Sequence, residues 1–297
     1  MRIAALTAFV TIVVSSAAAA AESPHPVAFW RQIAENKYAV PAGSDLAALT
    51  GELTDMLGSP DPELRDDIAY STLTAWIYQT RVIGPDDLRT LVDRLLGNLK
   101  AGIGERDTDG VLRRSFSALI LSVVVARDNA APFLSVEESH RLETAALDYL
   151  AAEQDVRGYD PARGWMHSAA HTADLLKFLA RSQLFEPADQ TRFLDAIARK
   201  LSGTPTVFTH GEDERFARAV LSIVNRKDFD REAFKAWTTR AKPARLPEKP
   251  TTAQLSGAQN SKNLLAKLQV LLTADAQPSE AIQFARDSVR AALEGAF

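Results

Sequence analysis

The chain has 297 residues, 46% of them hydrophobic and 24% charged, so it can bury a sizeable core and differs from disordered proteins, which are poor in apolar residues. Its net charge of -4 and the lack of a Lys- and Arg-rich stripe argue against nucleic acid as a partner. It contains no cysteine, which excludes disulfides and thiolate chemistry and leaves histidine and carboxylate side chains as ligands for any metal.

The first 21 residues have the pattern of a secretory signal peptide. Arg2 gives a positive start, residues 3–14 form an apolar run too short to span a bilayer, and a small-residue tract ends in Ala19-x-Ala21 before Glu22. A membrane anchor would need about 20 apolar residues. We therefore predict cleavage near Ala21 and a periplasmic or secreted protein without a stable membrane anchor. A bacterial periplasm also fits the missing cysteines.

After a short helix predicted from Val27, helical pairs follow one another, each with an amphipathic helix, a polar loop and a more apolar helix. The first helices of four pairs are predicted at residues 46–57, 87–99, 136–150 and 187–201. The second helices are predicted at residues 64–78, 112–126, 165–180 and 213–224. The repeat period is about 50 residues, which lies at the long end of HEAT-like hairpins.

Proline and serine residues support these boundaries. Pro62, Pro85 and Pro187 each fall where a helix begins, a position in which the missing N–H of proline would be unpaired anyway. Ser135 and Glu138 have the spacing of a capping box. Residues 206–209 are the best strand candidate and are too short to build a sheet.

The pattern changes beyond residue 228. A helix at 229–239, a proline-rich linker at 242–250, and helices at 254–272 and 279–293 are expected to cap the last hydrophobic face. The sequence therefore predicts an all-α protein, a HEAT-like array of antiparallel helical hairpins in a right-handed α-α superhelix. Residues 22–228 form its helical-repeat domain, and residues 229–297 form capping helices of the same domain.

Three side chains able to bind metal or move protons share one face of a predicted helix. His167, His171 and Asp174 are spaced i, i+4 and i+7. Paired histidines of this kind occur in helical zinc sites, but the His-Glu-x-x-His motif of metalloproteases would need a glutamate directly after the first histidine. A structural polar network is the favoured alternative, since a partly buried histidine needs only one hydrogen-bond partner.

The second helices of such an array lie side by side, so their N-terminal ends should converge in a polar ridge. Arg113 and Arg114 would either hold an acidic ligand there or, as the favoured alternative, pair with Asp66 and Asp67. The acidic residues 212–214 suit a helix N-terminus without any further function. The candidate ligand-binding residues are Trp165, His167, His171, Asp174, Arg113, Arg114, Glu212, Asp213 and Arg215.

Several segments resemble a bacterial family catalogued as domain of unknown function 2785. They are residues 65–73, 116–121, 127–129, 164–176 and 211–215. The likeness covers roughly residues 45–225, and its most specific part is Trp-x-His-x-x-x-His-x-x-Asp from Trp165 to Asp174. The resemblance implies a helical fold and a polar site, and it supplies no reaction.

Two classes of function remain open. The nucleophile elbow, phosphate-binding loop, dinucleotide-binding glycines and EF-hand loop are missing from the sequence, so no catalytic residue is assigned. The favoured function is a periplasmic scaffold that binds an unknown protein, peptide, envelope component or small ligand. The alternative is a metal-dependent, hydrolase-like enzyme using His167, His171 and a nearby carboxylate. No cofactor is predicted, apart from the divalent metal that this alternative requires at the two histidines.

Overall fold

A computed structural model describes residues 24–274 and 276–294 of the chain, so the predicted signal peptide lies outside the described residues. The described part is helical apart from loops and one short hairpin, which confirms the all-α prediction. The helices are α1 (Val27–Glu35), α2 (Leu46–Met56), α3 (residues 63–79), α4 (Pro85–Lys100), α5 (Gly110–Ala130), α6 (Val136–Ala152), α7 (Ser168–Leu179), α8 (Pro187–Gly203), α9 (Glu212–Val224), α10 (Arg231–Ala241), α11 (Thr252–Thr273) and α12 (Glu280–Leu293). None of these helices in the described part has both the length and the apolar character needed to cross a membrane.

The helices from α3 onward pack in two rows. One row contains α3, α5, α7, α9 and α11, each beside the next, and the other contains α4, α6, α8, α10 and α12. Helices of the two rows differ in how many apolar residues they contain, because they are covered by neighbouring helices to different extents. Helix α4 buries one apolar stripe, whereas α5 lies between α3, α4 and α7 and buries nearly every side chain from Val111 to Val125. One buried apolar cluster extends from Trp30 to Ala292.

Local capping explains where these helices begin. Ser135 and Glu138 form the predicted capping box at the start of α6. Pro85 and Pro187 occupy the first turns of α4 and α8, as predicted. Residues 242–250 are irregular, in agreement with the predicted linker.

Helix α7 differs from the prediction at its N-terminus. It begins at Ser168, and Trp165 lies in a two-stranded hairpin formed by β1 (Tyr159–Asp160) and β2 (Gly164–Trp165). The amides of Met166 and His167 donate across this hairpin to the carbonyls of Gly158 at 2.9 Å and Arg157 at 3.2 Å. A helix starting at Trp165 was therefore a wrong prediction, because pairing with the preceding strand determines the conformation here. Residues 206–209, the predicted strand candidate, are irregular.

The wider π-helical geometry of α3 was also not predicted. Glu63–Tyr70 and Ala75–Gln79 are π-helical and flank the α-helical segment Ser71–Thr74. The Ser71 hydroxyl donates to the carbonyl of Asp66, five residues earlier, at 3.0 Å. Such segments widen a helix locally and alter the direction of its side chains.

Candidate functional site

The hairpin holds one large aromatic ring at the surface above a buried histidine. Trp165 is 42% exposed, and its ring lies 4.3 Å from that of His167 at an angle of 30°. His167 Nε2 donates to the carbonyl of His210 at 3.1 Å, so Nε2 carries the ring hydrogen. Glu212 Oε1 lies 3.9 Å from the same nitrogen. His167 also adopts a left-handed backbone conformation, with φ at 46°, which is unfavourable for a residue other than glycine and is typical of functional or tightly held sites.

His171 lies deeper and supports the end of the hairpin. Its Nδ1 is 2.8 Å from Ser115 Oγ, and Ser115 donates its own hydrogen to the carbonyl of Met166. Nδ1 of His171 therefore carries a hydrogen and donates it to the serine. The edge of the ring meets Phe116, with centroids 4.9 Å apart. Through Ser115, His171 thus holds in place the Met166 carbonyl, which lies between the hairpin and α7.

Arg65 connects the other side of the hairpin to α3. Its buried guanidinium donates to the carbonyl of Ser59 at 2.9 Å, to the carbonyl of Arg163 at 2.7 Å and to Asp66 at 2.8 Å. It also lies over the ring of Phe116, 4.8 Å from the centroid. These contacts form a buried network, which we call the hairpin network: Arg65, Ser115, Phe116, His167, His171 and Glu212.

Arg113 and Arg114, near the start of α5, lie outside this network. Arg114 is fully buried and donates to both oxygens of Glu153, at 2.6 and 3.2 Å, and to two backbone carbonyls. Arg113 approaches Asp55 at 3.6 Å. The expected pairing with Asp66 and its neighbour was wrong, because Asp66 is taken by the adjacent Arg65. These contacts use four of the five N–H donors of Arg114, and the side chain is fully buried, so a ligand cannot reach it.

Asp174 also points away from the histidines. Its two oxygens accept from Lys177, at 2.8 Å, and from Arg215. These three residues line a cavity of about 370 Å³, together with Tyr70 and Tyr78. The cavity lies on the row of helices that contains α3, α5, α7 and α9. The i, i+4, i+7 spacing therefore does not gather His167, His171 and Asp174 at one point.

The acidic residues at the start of α9 act as caps. Glu212 Oε2 accepts the amide of His210 at 2.8 Å, and Asp213 accepts the amide of Glu214 at 2.8 Å. Carboxylates are favourable at a helix N-terminus because they accept unpaired amides and face the positive end of the dipole. Of the two, Glu212 also faces His167, so it belongs to both the cap and the hairpin network.

A cleft opens between the hairpin and the loop that precedes α9, and we call it the hairpin cleft. It has a volume of about 390 Å³. Tyr159, which packs its edge on Trp165 at 4.9 Å, stands at its rim, and His210 and Val207 line the opposite side. The remaining lining residues are mainly polar, and they are Arg106, Asp107, Gln154, Asp155, Val156, Arg157, Gly158, Pro205, Thr206, Phe208, Thr209 and Glu212.

One wall of the hairpin cleft is fixed by the C-terminal part of the chain. Asn260 of α11 accepts the amide of Phe208 at 2.9 Å and donates to the carbonyl of Thr206 at 2.9 Å. Gly158 is needed on the other wall, because a Cβ atom there would lie 2.4 Å from the ring of His210. The shape of the cleft thus depends on one glycine and on one distant asparagine.

Within the described residues, His140, Glu143 and Asp189 form one group of possible metal ligands. One ligand atom from each residue lies within 4.8 Å of the other two, and no other group of three does so in this part of the chain. His167 and His171 are outside that group. Their rings stand nearly perpendicular, with centroids 5.8 Å apart. The hairpin network therefore brings the two histidines together without a third ligand.

Comparison with known families places the chain. A model of the family described as protein of unknown function (DUF2785) matches residues 99–271, which is more than half of the 297 residues. The chain belongs to the DUF2785 family. No curated protein and no solved structure matches it. The match to DUF2785 contains the hairpin, the hairpin cleft and Asn260, whereas the resembling segment at residues 65–73 lies before it.

Several residues of this DUF2785 site were not found from the sequence. Ser115 and Asn260 acquire a role through partners far along the chain, and Tyr159 acquires one through strand pairing with Trp165. Ser115 and His171 are 56 residues apart, and no local spacing relates them. The one local signal was a pair of glycines, Gly158 directly before β1 and Gly164 at the start of β2.

The two histidines predict that acid destabilises the folded protein. Burial lowers the pKa of His167 from 6.5 to about 4 and lowers that of His171 well below 6.5, so the unfolded chain binds these protons first. Their contribution to stability is complete above about pH 7 and is lost as the pH falls from about 6.5 towards 4. We expect the free energy of unfolding to fall by up to about 1.4 kcal/mol per pH unit per histidine.

Urea denaturation at several pH values between 7.5 and 4.5 measures this effect. The control is a variant with His167→Gln and His171→Gln, whose profile should be flatter because the two buried imidazoles no longer take up protons on unfolding. Equal slopes for both proteins would contradict the assignment of neutral, buried imidazoles.

Proposed function

We propose that this DUF2785 protein is an exported binding protein and that its hairpin cleft holds a peptide segment of a partner. The exposed Trp165 held rigidly on His167 carries this proposal. Large aromatic side chains at the surface are typical anchors of binding interfaces, since they bury much area with little loss of conformational entropy. Trp165 lies beside the cleft, with its ring 4.9 Å from that of Tyr159 and 6.1 Å from that of His210, and Tyr159, which is 49% exposed and lines the cleft, adds a second ring.

The chemistry of the hairpin cleft supports a peptide as ligand. Arg106 and Arg157 supply donors, Asp107 supplies acceptors, and the side chains of Thr206 and Thr209 can do both. An extended peptide offers alternating N–H and C=O groups, which such a mixed surface can satisfy. Asp107, which lines the cleft, has a strained left-handed conformation with φ at 58°, a conformation that is often found at functional sites.

The remaining parts of the proposal concern architecture and export. Two rows of helices stacked in chain order are the arrangement of helical-hairpin arrays, which supports a HEAT-like, right-handed superhelix. Such arrays commonly present extended binding surfaces. Cleavage after Ala21 would deliver the protein to the periplasm, and the intact mass of protein recovered from a periplasmic fraction tests this directly. A mass that still includes residues 1–21 would contradict export by cleavage.

Panning of a random 12-residue peptide library on the protein tests the binding proposal. We expect enriched peptides whose affinity falls at least about tenfold in Trp165→Ala, since such anchors contribute about 2 kcal/mol or more. Val136→Ala is the matched control, because Val136 is also an exposed apolar residue and lies at the far end of α6. Peptides that bind Trp165→Ala as well as they bind the parent protein, or no enrichment, would overturn the proposal.

The metal-dependent hydrolase centred on His167 and His171 has weaker support. Each imidazole is buried and already holds a hydrogen-bond partner, in the His210 carbonyl and in Ser115 respectively. Glu212, the nearest carboxylate to His167, is itself buried as a cap. Metal lost specifically from a His171→Asn variant would favour this enzyme over the binding protein.

A further inference from the structure

A cluster of side chains able to ligate metal lies away from the hairpin cleft, between α6 and α8. His140 and Glu143 are about one turn apart on α6, and Asp189 belongs to the first turn of α8. One ligand atom from each residue lies within 4.8 Å of the other two. Packing of α6 on α8 brings the two helices to this distance, so the cluster is fixed by the helix rows.

Glu143 has an unsatisfied carboxylate oxygen. Its side chain is fully buried; Oε2 contacts His140 Nδ1 at 3.0 Å, and Oε1 has no hydrogen-bond partner within the described ranges. A buried oxygen without a partner costs about 1–3 kcal/mol, and more when it is charged. Oε1 of Glu143 is therefore available to a cation that reaches the cluster.

Arg192 supplies part of that charge in the structure. Its Nη1 lies 3.0 Å from Glu143 Oε2 and 3.8 Å from Asp189 Oδ1, between the two carboxylates. The arginine side chain is half-exposed, so it can turn into solvent without disturbing the core. Its contacts leave Oε1 of Glu143 unpaired.

We infer that His140, Glu143 and Asp189 form a binding site for a divalent transition metal such as Zn²⁺ and that the ion replaces the Arg192 guanidinium. One imidazole and two carboxylates are ligands that Zn²⁺ and Mn²⁺ accept. Two neighbouring ligand atoms, each about 2.1 Å from a metal, are about 3.0–3.4 Å apart in octahedral or tetrahedral geometry. The His140–Glu143 separation of 3.0 Å fits that range. His140 also borders an open cleft of about 630 Å³, through which an ion and its water ligands can enter.

Equilibrium dialysis against Zn²⁺, with the metal measured by elemental analysis, tests this site in protein that carries no histidine tag. We expect one ion per chain and an affinity at least about tenfold lower in His140→Ala and in Asp189→Asn. Arg192→Gln should bind several-fold more tightly, because the competing cation has gone. His25→Ala is the matched control, since it removes a histidine from another His–Glu pair, at 2.9 Å from Glu52, and should leave binding unchanged.

Circular dichroism and the melting temperature establish that each variant is folded, and His140 is exposed enough for its removal to be tolerated. The parent protein should melt at a higher temperature with Zn²⁺ than without it, and His140→Ala should not respond. Failure of the parent protein to retain Zn²⁺, retention equal to that of His140→Ala and Asp189→Asn, or weaker binding by Arg192→Gln would overturn the inference. Peptide binding at the hairpin cleft is a separate measurement and can succeed or fail independently.

Discussion

Replacing Arg114 with methionine should lower the free energy of unfolding by about 3–5 kcal/mol. The substitution keeps most of the side-chain volume and removes a buried guanidinium that donates to Glu153. Glu153 is 3% exposed, so its carboxylate would lose its charged partner in the interior, where burial without one is costly. The carbonyls of Ala101 and Gly102, which end α4, would also lose their donor. Urea denaturation at pH 7.5 followed by circular dichroism measures the loss.

Two further variants separate a lost buried charge pair from a general effect of removing arginine. Arg218→Met disrupts an exposed pair with Glu214 and should change the free energy of unfolding by less than about 1 kcal/mol. Adding Glu153→Gln to Arg114→Met should restore part of the stability, because the unpaired charge is removed. If Arg114→Met lowered the free energy of unfolding no more than Arg218→Met does, the buried pair of Arg114 and Glu153 would not contribute to stability.

Arg65→Met should lower the free energy of unfolding by about 3 kcal/mol and should also loosen the hairpin. Arg65 donates to the carbonyl of Arg163, 98 residues along the chain, and to that of Ser59. Both carbonyls lose a charged donor in the variant. Because Arg163 directly precedes the strand with Trp165, we expect a shift in tryptophan emission and weaker peptide binding as well as lower stability.

The matched control for this second prediction is Arg163→Met. Arg163 pairs with Asp109 at 2.5 Å, but its side chain is 41% exposed, so its removal should change stability by less than about 1 kcal/mol. The tryptophan signal is assigned to Trp165 by repeating the measurement in a Trp165→Phe background. An unchanged emission spectrum together with full stability in Arg65→Met would contradict a role for Arg65 in holding the hairpin.

The helices could be predicted because their signals are local. Helix α8 was expected at residues 187–201 and lies at Pro187–Gly203, since a proline opens it and apolar residues recur with helical spacing. The predicted capping box at Ser135 is present for the same reason, as both partners lie within one turn. Periodicity and capping depend on residues only a few positions apart.

The hairpin could not be predicted in this way. His167, His171 and Asp174 have ideal helical spacing, but the conformation of His167 depends on the carbonyls of Arg157 and His210. Arg114 likewise has its partner 39 residues along the chain, in Glu153. Burial and pairing over such separations are determined by how the rows of helices pack. The spacing of side chains along one helix gives no information about that packing.

The candidate metal site illustrates the same limit. His140 and Glu143 are visible in the sequence as an i, i+3 pair, which is common on helices and indicates little alone. Asp189 completes the group from α8, and only the packing of α6 on α8 brings it near. Sequence reasoning instead selected the histidines of residues 167 and 171, whose local spacing resembled a known ligand pattern.

Asn260 has a consequence for the order in which the protein matures. The wall of the hairpin cleft is fixed through the Phe208 amide and the Thr206 carbonyl, and the group that fixes it lies about 50 residues further along the chain. As the polypeptide emerges from the ribosome, the hairpin and α9 appear well before α11. The cleft therefore reaches its final geometry only when α11 has docked. In a nascent or prematurely terminated chain that lacks α11, the wall of the cleft has no contact with Asn260.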